Sequence, residues 1–288
     1  MCCSRKFAVA FAFVFAVLPS RAFASGTFVQ GAINTGTSGS VSCTTPNNNT
    51  TGNDLLIMVQ ASATGLGIGT VNDTGNPSSN TYTSAQIYTF STTITGFYAV
   101  AHIVNQPLIA GPLSISFSVT GGTPNMHAVC AEISGLTSCA SGGCIDSNGP
   151  KGSGCASAAS CGSASAGSGA GTAFTAIQND EIIFSMNGAQ ASVTANSQTS
   201  ADTGVCTTSA GSCSGNKWGA GSVSTARDSA YYRNITGGGS QTCNWTWTTN
   251  AVDGVSCIGL KSAVTATTCT LGLLGVGPCD DDAIEENN

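Results

Sequence analysis

From Leu113 to Val119 the chain alternates without a break. Leu113, Ile115, Phe117 and Val119 are apolar, and Ser114, Ser116 and Ser118 stand between them. A period of two is that of a β-strand with one dry face and one wet face. Two other segments, 54–60 and 96–104, are nearly continuous apolar runs, as expected of strands covered on both faces. Further strand signals recur at 80–90, 126–133, 181–186, 191–197, 229–235, 242–248 and 254–261, with Gly, Asn, Ser and Thr between them. No stretch of about ten residues combines helical periodicity with caps. The expected class is therefore all-β: a two-sheet antiparallel sandwich, jelly-roll or Ig-like, with disulfide-rich loops.

Only 8% of the 288 residues are charged, against roughly 25% in an ordinary soluble domain. With 41% hydrophobic residues, a disordered chain is excluded. Lys and Arg number 8 against 14 Asp and Glu, so the basic surface that nucleic acid requires is missing. Residues 1–24 read as a secretory signal peptide. Arg5 and Lys6 precede the apolar run 7–18, and Ala22-Phe23-Ala24 supplies the small-residue cleavage signal. Cleavage is expected after Ala24, and no later run reaches the length of a membrane span. The protein is expected to be secreted or held at a cell surface. Residues 25–263 are expected to form one β-sandwich domain, followed at 264–288 by a disulfide-closed acidic tail.

Cys2 and Cys3 leave with the signal. The even set that remains is Cys43, Cys130, Cys139, Cys144, Cys155, Cys161, Cys206, Cys213, Cys243, Cys257, Cys269 and Cys279. In an exported chain this reads as disulfides. Zinc is disfavoured, because no C-x-x-C pair exists and His102 and His127 are the only imidazoles. Close spacing suggests the pairs Cys139/Cys144, Cys155/Cys161, Cys206/Cys213 and Cys269/Cys279. The pairing of Cys43, Cys130, Cys243 and Cys257 stays open. Residues 137–171 and 200–226 are rich in Ser, Ala, Gly and Cys and have no apolar pattern. They read as polar insertions that the bridges stiffen, so the bridges are expected to guard loops more than the sandwich.

The two halves of the chain echo each other. Asn53-Asp54-Leu-Leu-Ile matches Asn179-Asp180-Glu-Ile-Ile, 96–103 matches 229–235, and 129–136 matches 255–260. Either strands with polar turns simply look alike, or two Greek-key-like halves pack as one sandwich.

The elements Asn53-Asp54-Leu-Leu-Ile, Val71-Asn-Asp73-Thr-Gly-Asn with Asn80-Thr-Tyr82-Thr, and Ala131-Glu132-Ile-Ser-Gly-Leu136 occur in this order. Together they resemble a group of secreted bacterial β-sandwich domains over residues 27–262. The resemblance implies fold and export and no particular chemistry.

No G-x-S-x-G nucleophile motif and no phosphate-cradling Gly loop is present, and no cofactor is expected. The enzyme class left open is a secreted jelly-roll glycoside hydrolase. Its carboxylate pair would be Glu132 and Glu181, about 5–10 Å apart across one groove. The other reading of Glu132 is an acid on the wet face of its strand, or one bonded to a hydroxyl or an Arg. Asp54, Asp73, Asp180 and Asp253 read as turn formers, with a calcium loop at Asp73/Asn76 as the alternative. Sugar-stacking candidates are Trp218, Tyr232, Trp245 and Trp247, although Trp245 and Trp247 share a strand face with Cys243 and also suit a core. Sequons stand at Asn48, Asn49, Asn72, Asn234 and Asn244. The leading expectation is a secreted, non-enzymatic binding, adhesive or self-assembling matrix protein. Its partners would be neutral glycans or other copies of itself.

Overall fold

The computed structural model describes residues 26–89, 94–147, 150–155, 167–170, 174–178, 180–189, 205–208, 216–223, 226–235, 238–247 and 253–263. All of these belong to one unit, Phe23–Val264. The expected signal peptide, the strand at 191–197, the acidic tail and Cys161, Cys213, Cys269 and Cys279 lie outside the described residues.

The first half contributes β1 (Thr27–Gly36), β2 (Ser40–Thr44), β3 (Asp54–Ala61), β4 (Gly67–Asp73), β5 (Tyr82–Thr89), β6 (Thr95–His102), β7 (Ser114–Thr120) and β8 (Met126–Ser134). The second contributes β9 (Lys151–Cys155), β10 (Gly167–Ala170), β11 (Phe174–Ala176), β12 (Glu181–Ala189), β13 (Val205–Thr208), β14 (Asn216–Val223), β15 (Ala226–Asn234), β16 (Gly239–Trp247) and β17 (Asp253–Lys261). A 3-10 turn, Cys139–Ser141, is the one helical element among the described residues, none of which forms a helix long and apolar enough to cross a membrane.

Four antiparallel sheets result. Sheet I runs β1-β8-β3-β6-β5, sheet II runs β2-β7-β4, and sheet III runs β9-β17-β12-β15-β14. In sheet IV, β16 pairs with β10 and β11 on one side and with β13 on the other. Both halves wind the same way, as a long hairpin rolled on itself: β1 with β8, β2 with β7 and β3 with β6, then β9 with β17, β10 with β16 and β12 with β15.

The repeat is in register. Ile57 lies opposite Ala99 and Cys130, and Ile183 opposite Arg233 and Gly259. Gln60 lies opposite Gly96 and His127, and Met186 opposite Ala230 and Ser256. The two halves share this order of strand pairing, but each forms its own pair of sheets and not half of one sandwich. The second match is displaced by one residue, Gly96 standing at the place of Ala230 and not of Ser229, and the third by two, Cys130 standing at the place of Gly259 and not of Cys257.

Sheet I is covered on both faces. Leu55, Ile57, Val59, Phe97, Ala99 and Cys130 pack on Val41, Cys43, Ile115 and Phe117 of sheet II. Leu56, Met58, Tyr98, Val100, Val129, Ala131 and Ile133 pack on Ile182, Phe184, Met186, Ala230, Ile258 and Leu260 of sheet III. The continuous apolar run at 55–59 follows directly, since both sets of alternating side chains are dry. Each large apolar side chain so buried contributes about 1.5–3 kcal/mol. Gln60 adds a polar clasp across the same interface, its Nε2 donating to the Gly254 carbonyl at 2.8 Å and to Ser256 Oγ at 3.2 Å. Each half is thus a two-sheet sandwich, and the two stack through their five-stranded sheets.

Three disulfides are described. Cys139–Cys144 closes the short loop that the spacing suggested. Cys43–Cys130 joins β2 to β8 across the first sandwich, and Cys243–Cys257 joins sheet IV to sheet III. The expectation that bridges guard mainly loops is corrected here: two of these three staple sheets together.

The polar insertions also need correction. Segment 137–171 contains β9 and β10, and 200–226 contains β13 and β14. Ladder hydrogen bonds need no apolar side chain. At one place a side chain would obstruct the packing: a Cβ on Gly96, Gly152 or Gly254 would collide with the Tyr88 ring. These glycines form the slot in which β5 meets β9 and β17.

Candidate functional site

Glu132 lies on β8 with Leu55 and Gln30 as its register partners, and its side chain is fully buried. Its carboxylate accepts four hydrogen bonds: from Gln30 Nε2 at 2.6 Å, Asn49 Nδ2 at 2.8 Å, the Thr50 amide at 2.9 Å and Asn53 Nδ2 at 2.6 Å. Gln30 in turn accepts from the Asn47 amide and donates to the Asn47 and Asn48 carbonyls. A buried carboxylate is tolerable when such donors replace its water. Here they come mostly from the β2–β3 loop, so the carboxylate organises residues 47–53. Two of the sequence elements, Asn53-Asp54-Leu-Leu-Ile and Ala131-Glu132-Ile-Ser-Gly-Leu136, meet in this cluster through Asn53 and Glu132.

The third element closes on itself. Asp73 accepts from the Gly75 amide at 2.9 Å, the Asn80 amide at 3.1 Å, Asn80 Nδ2 at 2.8 Å and the Tyr82 hydroxyl at 2.8 Å. Burial, and then the neighbouring Asp73 charge, push the Tyr82 phenol well above its ordinary value. Asp73 is a turn former in this setting. Its oxygens already hold donors, so they do not offer a calcium loop, and no cluster of three or more metal-ligating side chains occurs among the described residues. Asn80 also accepts the Val104 and Asn105 amides, tying the 74–81 and 103–113 loops together.

Asp54 bonds His102 Nδ1 at 2.9 Å and accepts the Cys139 amide at 3.0 Å. Burial raises its pKa, and the two hydrogen bonds and the imidazole oppose that rise. A His–Asp pair orients a general base only when a nucleophile adjoins the imidazole. The residue gathered here is Cys139, through its backbone, and its sulfur is in a disulfide. The pair anchors the Cys139–Cys144 clip. His127 is buried on β8.

Glu132 and Glu181 are not brought together. Glu132 is flanked by Ala131 and Ile133, which face sheet III, so it points toward sheet II. Glu181 precedes Ile182, which faces sheet I, so it points toward the far side of sheet III. The two carboxyl groups diverge from the shared interface and face no common groove.

Glu181 has a partner that the sequence reading missed. Asp146 is fully buried beside it, accepting the Ile177 amide at 2.9 Å, while Glu181 accepts the Gln178 amide at 3.0 Å. Burial, with the neighbouring Asp146 charge and hydrogen bond, raises Glu181 to about 7 against the lowering effect of the Gln178 amide. Both carboxyl groups are fully buried. Its clue in the sequence was Ile145, the isolated apolar residue before Asp146, which bridges Leu260 on β17.

Tyr232 is partly buried. Its ring stacks on Phe28 at 4.4 Å and approaches Phe184 at 6.0 Å, where β1 meets sheet III. Trp218 lies on β14, and Trp245 and Trp247 lie on β16. Their side chains, and the expected pairs of Cys155 and Cys206, are outside the described residues.

The remaining ordered polar feature is the outer face of sheet II. Ser40, Ser42 and Thr44 pair with Ser118, Ser116 and Ser114, and Asn72 pairs with Ser116 from the other side. Thr44 donates to Ser114 at 2.8 Å, and Thr70 and Ser118 hydroxyls lie 2.9 Å apart. No charged residue occurs on β2 or β7, or in loops 45–53, 74–81 and 103–113. The 103–113 loop, which leads into β7, presents Leu108 and Ile109, 84% and 83% exposed.

No family model matches the chain, and no curated protein and no solved structure matches it.

Proposed function

We propose that this chain is an exported, non-enzymatic extracellular binding module, adhesive or matrix-forming. One observation carries the reading: the buried acids Glu132 and Asp54 and the half-buried Asp73 are engaged by scaffold donors, and Glu181 is buried beside Asp146. These are the groups a hydrolase would need at a groove. Cross-sheet disulfides suit an oxidising compartment, and the signal at residues 1–24 supplies the export route. The rolled-hairpin pairing of each half supports a jelly-roll type.

A glycan array combined with light scattering across protein concentration tests the proposal. The expected result is binding to neutral glycans or concentration-dependent association. Strict monomer behaviour with no glycan bound would refute it, as would glycan hydrolysis abolished by Glu132→Gln or Glu181→Gln in folded protein.

A further inference from the structure

Resting on that reading, we propose that the outer face of β2-β7-β4, together with the Leu108–Ile109 tip, is the docking surface for a neutral, hydroxyl-rich polysaccharide. The first argument is charge complementarity. An anionic glycan needs Arg or Lys to replace its hydration, and a cationic one needs acids. Among the exposed positions of these strands are Ser40, Ser42, Thr44, Thr70, Asn72 and Ser116, neutral hydroxyls and one amide, and none of the exposed positions is charged. Each can donate and accept, as sugar hydroxyls do.

The second argument is order. Antiparallel register sets the side chains in rows, about 4.8 Å apart between strands and about 6.8 Å apart along each strand. Ser42, Ser116 and Asn72 form one such row. The bonds Thr44–Ser114 and Thr70–Ser118 fix hydroxyl positions before any ligand arrives, which lowers the ordering cost of binding.

The third argument is the tip. Leu108 and Ile109 follow Pro107 in the loop that leads into β7. The Asn80 and Thr51 side chains and the Asn76–Gln106 bridge pin that loop. It presents apolar side chains suited to the C–H faces of sugar rings at the edge of a hydroxyl array. Self-association through the same face is the competing occupant that the experiment separates.

The test is depletion of the oxidised, full-length exported protein onto microcrystalline cellulose and insoluble chitin, with alginate as the anionic comparison. Wild type is expected to bind the neutral solids and not alginate, with little dependence on salt. Ser42→Lys/Ser116→Lys and, independently, Leu108→Ser/Ile109→Ser should each weaken binding on the order of tenfold, with thermal midpoints close to wild type. The loop variant keeps the test decisive if the sheet variant does not fold. Wild-type binding that both variants retain would overturn the inference while leaving the proposed function standing. Absence of binding to any glycan, with strict monomers, would overturn both. Loss of self-association in place of glycan binding would assign the face to a second copy and overturn the polysaccharide.

Discussion

Replacing Glu181 with Gln should change how stability depends on pH. In the unfolded chain this carboxyl titrates near 4.5, and in the folded protein burial beside Asp146 moves it to about 7. A raised folded value means that the native state keeps its proton while the unfolded state loses it. The stabilising contribution is therefore fully present below about pH 4.5 and is lost as pH rises through about 7. At 1.36 kcal/mol per unit, the difference amounts to about 3 kcal/mol across that window. The introduced amide would keep the shape, accept from the Gln178 amide and donate to Asp146, and it would not titrate. The assay is a series of urea unfolding curves from pH 4.5 to 8 for both proteins. The wild type should lose stability relative to Glu181→Gln as pH rises, and the difference should level off above pH 7. Asp54 is raised too and adds a slope of the same sign to both proteins, so the difference between the curves is the readout. A flat difference, or a wild type that gains on the variant toward pH 8, would refute the reasoning.

Four other changes probe the scaffold. Glu132→Gln keeps one acceptor oxygen and turns its NH2 donors on one of the two donor pairs, Gln30 with Asn49 or the Thr50 amide with Asn53. It should cost about 2–4 kcal/mol, read by thermal unfolding, with new protease cleavage within 45–53. Gly152→Ala should cost about 1–3 kcal/mol through its collision with Tyr88, and much less in a Tyr88→Ala background, which a double-mutant cycle measures. Removing Cys43–Cys130 by paired Ala substitution opens a separation of 87 residues and should cost about 4–5 kcal/mol. Removing Cys139–Cys144, with a separation of 5, should cost about 2 kcal/mol. Equal losses in denaturant midpoint would argue against that ordering.

The strands best read from sequence were those whose side chains are buried in a pattern. β3 and β6 are dry on both faces, and β7 is dry on one, so hydrophobicity reported them directly. β9, with the sequence Lys-Gly-Ser-Gly-Cys, carries no such signal. Its place is set by its ladder with β17 and by the need for a bare backbone beneath Tyr88. Apolar patterning is blind to both. Glu132 stood out as an acid within an apolar strand, and of its two readings the structure supports the bonded one. Its partners, which approach from 79 to 102 residues away, were not recoverable from spacing. Asp146 was lost inside a run of small polar residues because what buries it is a neighbouring sheet. The disulfides divided the same way: contiguous Cys139 and Cys144 were paired by distance along the chain, whereas Cys43 with Cys130 required knowing that β2 lies over β8.

The interface between sheets I and III has a consequence for how the molecule responds to dilution. Leu56, Met58, Val100 and Ile133 on one side and Ile182, Phe184 and Leu260 on the other form the kind of apolar contact that joins subunits in an obligate dimer. In a true dimer, the stability of such a contact falls with concentration by mass action. Here both partners are carried on one chain, so the encounter is intramolecular and its effective concentration is fixed by the tether. Under the export proposed above, the protein would be diluted without limit outside the cell. Covalent linkage of the two sandwiches makes their association independent of that dilution.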